Sequence, residues 1–101
     1  MRQISPAELK ILLESNSPLQ LIDVREPEEH QLFNIGGELF PLPEIMEHAN
    51  KIERDIPVVI YCKMGVRSHI AIQRLEQKYG FTNLINLVGG MEAWKKEMGH
   101  F

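Results

Sequence analysis

The 101-residue sequence has one cysteine, and its neighbours are those of a nucleophile. Cys62 is followed by Lys63, Met64, Gly65, Val66, Arg67 and Ser68, which places a thiol, a glycine, two cations and a hydroxyl in one short run. The thiolate is the reactive form of cysteine, and positive charge and backbone N–H groups at a helix start both favour it over the thiol. Lys63 and Arg67 supply the charge. Gly65 permits a tight loop in which successive N–H groups converge on one point and make an anion site. A lone free cysteine is most often a small buried apolar side chain, but an inert thiol has no use for such a loop. Cys62 is therefore read as catalytic, with Lys63, Met64, Gly65, Val66, Arg67 and Ser68 as the substrate-binding loop and Met64 as part of its wall.

The elements around the loop must put the sulfur at a strand end and a helix start. Val58, Val59, Ile60 and Tyr61 have the β-branched and aromatic composition of a central strand covered on both faces. After the loop, Ile70, Ala71, Leu75 and Tyr79 recur at helical spacing between polar residues, and Gly80 ends the helix. Upstream, Ser5-Pro6-Ala7-Glu8 is a capping box with proline at the first helical position, and it predicts a helix over Pro6 to Glu14. Leu19 to Val24 reads as a strand, Glu26 to Glu29 opens a short helix, Leu39 to Leu42 reads as a short strand, and Glu44 to Lys51 reads as helical. Thr82 to Leu87 gives another strand, and Gly90 starts a last helix with Met91, Trp94 and Met98 on one face. Alternating strands and helices imply an α/β fold: a small, mostly parallel central sheet with helices on both faces and a ligand site at the strand C-terminal ends.

Asp23 and Arg25 close one strand at the edge expected to hold Cys62, and are read as an ion pair or loop brace behind the site rather than as substrate contacts. His30, His48, His69 and His100 show no ligand spacing, so no metal site is expected and they read as surface residues. With 44% hydrophobic and 25% charged residues, the composition is that of a soluble globular chain, read as one domain over residues 1–101. No stretch approaches a membrane span and the start lacks the apolar core of a signal peptide. A single cysteine agrees with a reducing compartment, so a cytoplasmic location is expected. A net charge of −3 without a basic stripe argues against nucleic acid as a partner.

The loop from Cys62 to Ser68 resembles the active-site loop of the rhodanese family, in which four residues separate a cysteine from an arginine. Leu21-Ile22-Asp23-Val24-Arg25-Glu26 is similar to that family's strand ending in Asp-Val-Arg-Glu, and Leu87-Val88-Gly89-Gly90-Met91-Glu92-Ala93-Trp94 to its Gly-Gly and Ala-Trp element. Phe33-Asn34-Ile35-Gly36-Gly37-Glu38-Leu39 departs from the family's usual Gly-His-Ile-x-Gly-Ala run, and is similar to rhodanese domains attached to adenylating enzymes of cofactor biosynthesis. The resemblance implies a three-layer α/β/α fold and a sulfurtransferase. Such an enzyme takes sulfur from thiosulfate or a donor persulfide onto Cys62 and passes it to a thiophilic acceptor, with no cofactor. Two rivals stand beside it. One is a sulfur-carrier module with a protein persulfide donor or acceptor. The other is a phosphatase or arsenate reductase, disfavoured because the resembling phosphatases place five residues between cysteine and arginine.

Overall fold

Strands buried on both faces need helices on both sides, and the architecture follows from that demand. The structure, a computed structural model, describes residues 1–99. Five strands, β1 (Arg2–Ile4), β2 (Gln20–Asp23), β3 (Glu38–Leu39), β4 (Val58–Tyr61) and β5 (Leu84–Leu87), form one sheet in the order β1-β5-β4-β2-β3. Every neighbouring pair is parallel. The helices are α1 (Pro6–Glu14), α2 (Pro27–Leu32), α3 (Val66–Tyr79) and α4 (Gly90–Met98), with a 3-10 helix over Leu42–Lys51.

The two-residue period of the strands sorts the core into two halves. Ile22, Val24, Val58, Ile60, Cys62 and Leu84 pack with Ala71, Ile72 and Leu75 of α3 and Ile45 of the 3-10 helix. Leu21, Val59, Tyr61, Ile85 and Leu87 pack with Leu9 of α1 and Met91 and Trp94 of α4. Each fully buried leucine or isoleucine contributes roughly 2 kcal/mol. With β4 in the centre, the segments following β2, β4 and β5 leave the sheet at one edge, where open α/β sheets bind ligands.

Several details differ from the sequence reading. β1 was not anticipated: it is an edge strand whose Ile4 pairs with Leu87. The segment from Leu42 to Lys51 is 3-10 rather than α-helical, starting directly after Pro41 with Pro43 in its first turn. β3 ends at Leu39: the Phe40 N–H completes its pairing at the Asp23 carbonyl, and the Leu42 N–H reaches the Val24 carbonyl where the 3-10 helix begins. In α3 the fully buried isoleucine is Ile72, while Ile70 is only half-buried.

Candidate active site

Cys62 leaves the central strand directly and is 1% exposed. Its Sγ accepts the N–H of Gly65 at 3.0 Å and the N–H of Ser68 at 3.4 Å, and lies 3.3 Å from Ser68 Oγ. Gly65 caps α3 with φ +99°, a backbone that strains any residue with a Cβ. The carbonyls of Cys62 and Lys63 turn outward and accept the N–H groups of Met91 (2.9 Å) and Glu92 (3.0 Å) at the start of α4. That approach requires glycine at position 90, where a Cβ would overlap the Cys62 carbonyl oxygen and sit 2.6 Å from the Lys63 carbonyl. The loop is thus held between two helix starts, one aimed at the sulfur and one at its carbonyls.

The two cations sit differently from each other. Arg67 bridges to Glu29 of α2 through Nη1 (2.7 Å) and Nη2 (3.0 Å), with both side chains half-buried. Hydrogen bonding to Arg67 pushes the Glu29 carboxyl down to about 2. The same bond, against the effect of burial, raises Arg67 and keeps it cationic. Lys63 is 57% exposed and only 3.9 Å from Glu92. Met64 and Val66 are 59% and 66% exposed.

Asp23 and Arg25 form a buried ion pair. The Asp23 carboxylate accepts the Arg25 backbone N–H, its Nε–H and, at 2.8 Å, its Nη2–H. Arg25 Nη2 also donates to the Phe33 carbonyl and so ties the end of α2 to the sheet edge. His30 is a correction to the surface reading: its Nδ1 lies 2.9 Å from Asp23 Oδ2 and its side chain is 22% exposed. His100 lies outside the described residues. Burial, then the Asp23 charge, push the Tyr61 hydroxyl up to about 12, so it is neutral behind the site.

A groove of about 890 Å³ opens beside the loop, lined by Leu32, Phe33, Lys63, Met64, Met91 and Lys95 among others. Sequence reasoning missed Glu29 as the partner of Arg67, Gly90 as a contact point, and Asn86, whose side chain touches both Gly65 and Ser68. A polar residue inside the apolar run of β5 was the available signal for Asn86. Among the described residues, no cluster of three His, Cys, Asp or Glu side chains is placed to hold a metal ion, and no helix is long and apolar enough to cross a membrane.

The sequence is 42% identical over 98 residues to the probable adenylyltransferase/sulfurtransferase MoeZ of Mycobacterium tuberculosis, covering 94% of this chain and 25% of MoeZ. It is 36% identical to the putative sulfur carrier protein YrkF of Bacillus subtilis, covering 91% of this chain and 50% of YrkF. It is 30% identical to the thiosulfate sulfurtransferase GlpE of Coxiella burnetii, covering 93% of this chain and 87% of GlpE. The chain therefore spans a quarter of MoeZ and half of YrkF, but most of GlpE. The crystal structure of a rhodanese-like domain protein from Staphylococcus aureus superposes with a TM-score of 0.85 at 34% identity, covering 93% of this chain and 91% of that one. The model of the Rhodanese-like domain matches residues 5–97, and with these relatives the chain belongs to the rhodanese family.

Proposed function

We propose that the protein is a sulfurtransferase that carries sulfane sulfur as a persulfide on Cys62. The observation that supports this most is the placement of Sγ 3.0 Å from the Gly65 N–H and 3.4 Å from the Ser68 N–H, at a helix start with no side-chain cap. In the first step the Cys62 thiolate attacks the outer sulfur of thiosulfate. The Sγ–S bond forms, the thiosulfate S–S bond breaks, and sulfite leaves with the electron pair. In the second step a nucleophile such as cyanide or an acceptor thiolate attacks the outer sulfur, and Sγ leaves as thiolate. The N–H groups from Lys63 to Ser68 hold the persulfide anion, those of Gly65 and Ser68 at its inner sulfur. Of the five guanidinium N–H groups of Arg67, the Glu29 bridge uses two, and the rest orient the anionic donor while Lys63 adds attraction at longer range. No metal or organic cofactor enters these steps, and the expected setting is the reducing cytoplasm.

A sulfur-carrier role is the second reading, and the groove favours it. About 890 Å³ beside the loop exceeds the needs of a four-oxygen-sized anion, and Leu32 and Met64 stand 87% and 59% exposed along it, as in surfaces that meet a larger partner. Mass spectrometry after incubation with thiosulfate tests the first reading: one added sulfur on the native chain and none on Cys62→Ser is expected, with transfer to cyanide. No added sulfur from either thiosulfate or a protein persulfide removes both readings. Loading from the protein donor alone selects the carrier, and Cys62-dependent hydrolysis of an aryl phosphate would replace both with a phosphatase.

A further inference from the structure

The Ser68 hydroxyl has one proton and two neighbours able to take it. Ser68 Oγ lies 2.6 Å from Asn86 Oδ1 and 3.3 Å from Cys62 Sγ, with all three side chains buried. The amide of Asn86 decides between them. Its Nδ2 donates to the Gly65 carbonyl at 3.2 Å, which turns Oδ1 toward Ser68. The flipped amide would set oxygen against the Gly65 oxygen, so the network fixes one orientation.

We infer that Asn86 is a positioning residue that draws the Ser68 proton away from the sulfur, so that Ser68 Oγ meets Sγ as an acceptor and the pocket suits a neutral inner sulfur. Two states of Cys62 meet that requirement. In the resting thiol, S–H donates to Ser68 Oγ and Ser68 O–H donates to Asn86 Oδ1. In the persulfide, the negative charge sits on the outer sulfur and the inner sulfur is neutral, so the Ser68 to Asn86 bond is undisturbed. The free thiolate does not meet it. Charge on Sγ would face a hydroxyl lone pair at 3.3 Å, and relief requires Ser68 to swing its proton to the sulfur and leave the buried Asn86 Oδ1 without a donor.

The Gly65 and Ser68 N–H groups thus attract an anion, while the Ser68–Asn86 pair opposes charge on the inner atom. The charge is best accommodated one S–S bond further out. The consequence for turnover, which rests on the persulfide reading above, is a long-lived loaded state. When an acceptor takes the outer sulfur, the electron pair of the broken S–S bond returns to Sγ, and the hydroxyl has to turn in the same step.

The test begins on the unloaded protein, by the ultraviolet absorbance of the thiolate at neutral pH with Cys62→Ser as the blank. Ser68→Ala should raise the thiolate fraction, because it deletes an acceptor facing the sulfur. A fall means that Ser68 donates to the sulfur, and overturns the inference. Asn86→Leu should raise the fraction further, on the order of ten-fold, because the hydroxyl is then free to donate to Sγ. The same substitution in the Ser68→Ala background should move it little; an equal rise there would mean that Asn86 acts through Gly65, and would also overturn it. If Asn86→Leu does not fold, the sign of the Ser68→Ala change alone decides. In single-turnover transfer to cyanide, loaded Asn86→Leu should release sulfur faster than native by a similar factor, and slower release counts against the inference. A protein that takes up no sulfur defeats the sulfurtransferase reading and leaves the thiolate result standing.

Discussion

Helices α1 and α3 begin in opposite ways. Every helix start leaves backbone N–H groups without partners inside the helix. At α1 the chain answers with its own side chains: Ser5 Oγ accepts the Glu8 N–H at 3.1 Å, Glu8 returns a bond to the Ser5 N–H at 2.9 Å, and Pro6 occupies the first turn. At α3 the cap is Gly65, which has no side chain to offer, and the first turn carries no acid. Its donors are left to the sulfur of Cys62. The start of α4 is a third case, in which the N–H groups go to the carbonyls of Cys62 and Lys63. The same backbone property therefore closes a helix in one place, holds a loop in another, and makes an anion site between them.

Removing the hold of α4 on the loop should have the largest effect. Gly90→Ala places a Cβ against the Cys62 and Lys63 carbonyls at φ +59°. Such strain costs ~3 kcal/mol, and the loop should shift enough to abolish most sulfur transfer. Urea unfolding and thiosulfate turnover check the two halves of the claim. Native-like values for both would mean that the two helix starts do not share the loop.

The next experiment gives α3 a cap like that of α1. Gly65→Asp supplies a carboxylate that competes with the sulfur for the first-turn N–H groups, while Gly65→Ala controls for the strain at φ +99°. Adding the charge should slow alkylation of Cys62 by roughly ten-fold relative to the alanine variant, from about 1.4 kcal/mol of lost anion stabilisation. Equal rates in the two variants would show that the open cap does not serve the sulfur. Smaller still, Ser5→Ala should lose ~1 kcal/mol of stability and leave sulfur transfer unchanged, and a drop in kcat/KM would break the division between the two helix starts.

The contrast was partly readable in the sequence, and where it was not, distance along the chain explains why. The capping box of α1 and Gly65 are local signals, decided by residues within one turn. The sorting of strand residues was also local: period two puts Val58, Ile60 and Cys62 on one side, and the parallel register that sets Ile60 beside Asn86 brings Asn86 to that same side. That register is a pairing between separate strands, so Asn86 read only as part of a buried strand. The same reason hid β1, a three-residue edge strand whose partner lies near the other end of the chain, and the bridge from Arg67 to Glu29, 38 residues apart. The choice of Ile72 over Ile70 depends on which way α3 is rotated against the sheet, and a helical repeat alone does not settle that.

Glu29 is where the two kinds of helix start meet. Like Glu8 in α1, it closes a capping box, accepting the Glu26 N–H at 3.0 Å. Unlike Glu8, it also reaches out of its helix to Arg67 in the first turn of α3. The Arg67 hydrogen bonds, more than the Glu26 N–H, lower its carboxyl from 4.5 to about 2. A carboxyl lowered on folding stabilises the folded state fully above its unfolded value and loses that contribution as pH falls through the folded value. The window for Glu29 therefore runs from about pH 4.5 down to about pH 2. Its side chain is 28% exposed and that of Arg67 is 31% exposed, so solvent screening limits the contribution to about 1 kcal/mol. Glu29→Gln keeps an oxygen for the Glu26 N–H but removes the charge. The expected result is a native protein more stable than the variant at pH 6, with the gap closing as pH is lowered through that window. A gap that stays constant from pH 6 to pH 2 would mean that Glu29 acts only as the cap of its own helix, as Glu8 does, and that α3 is held without it.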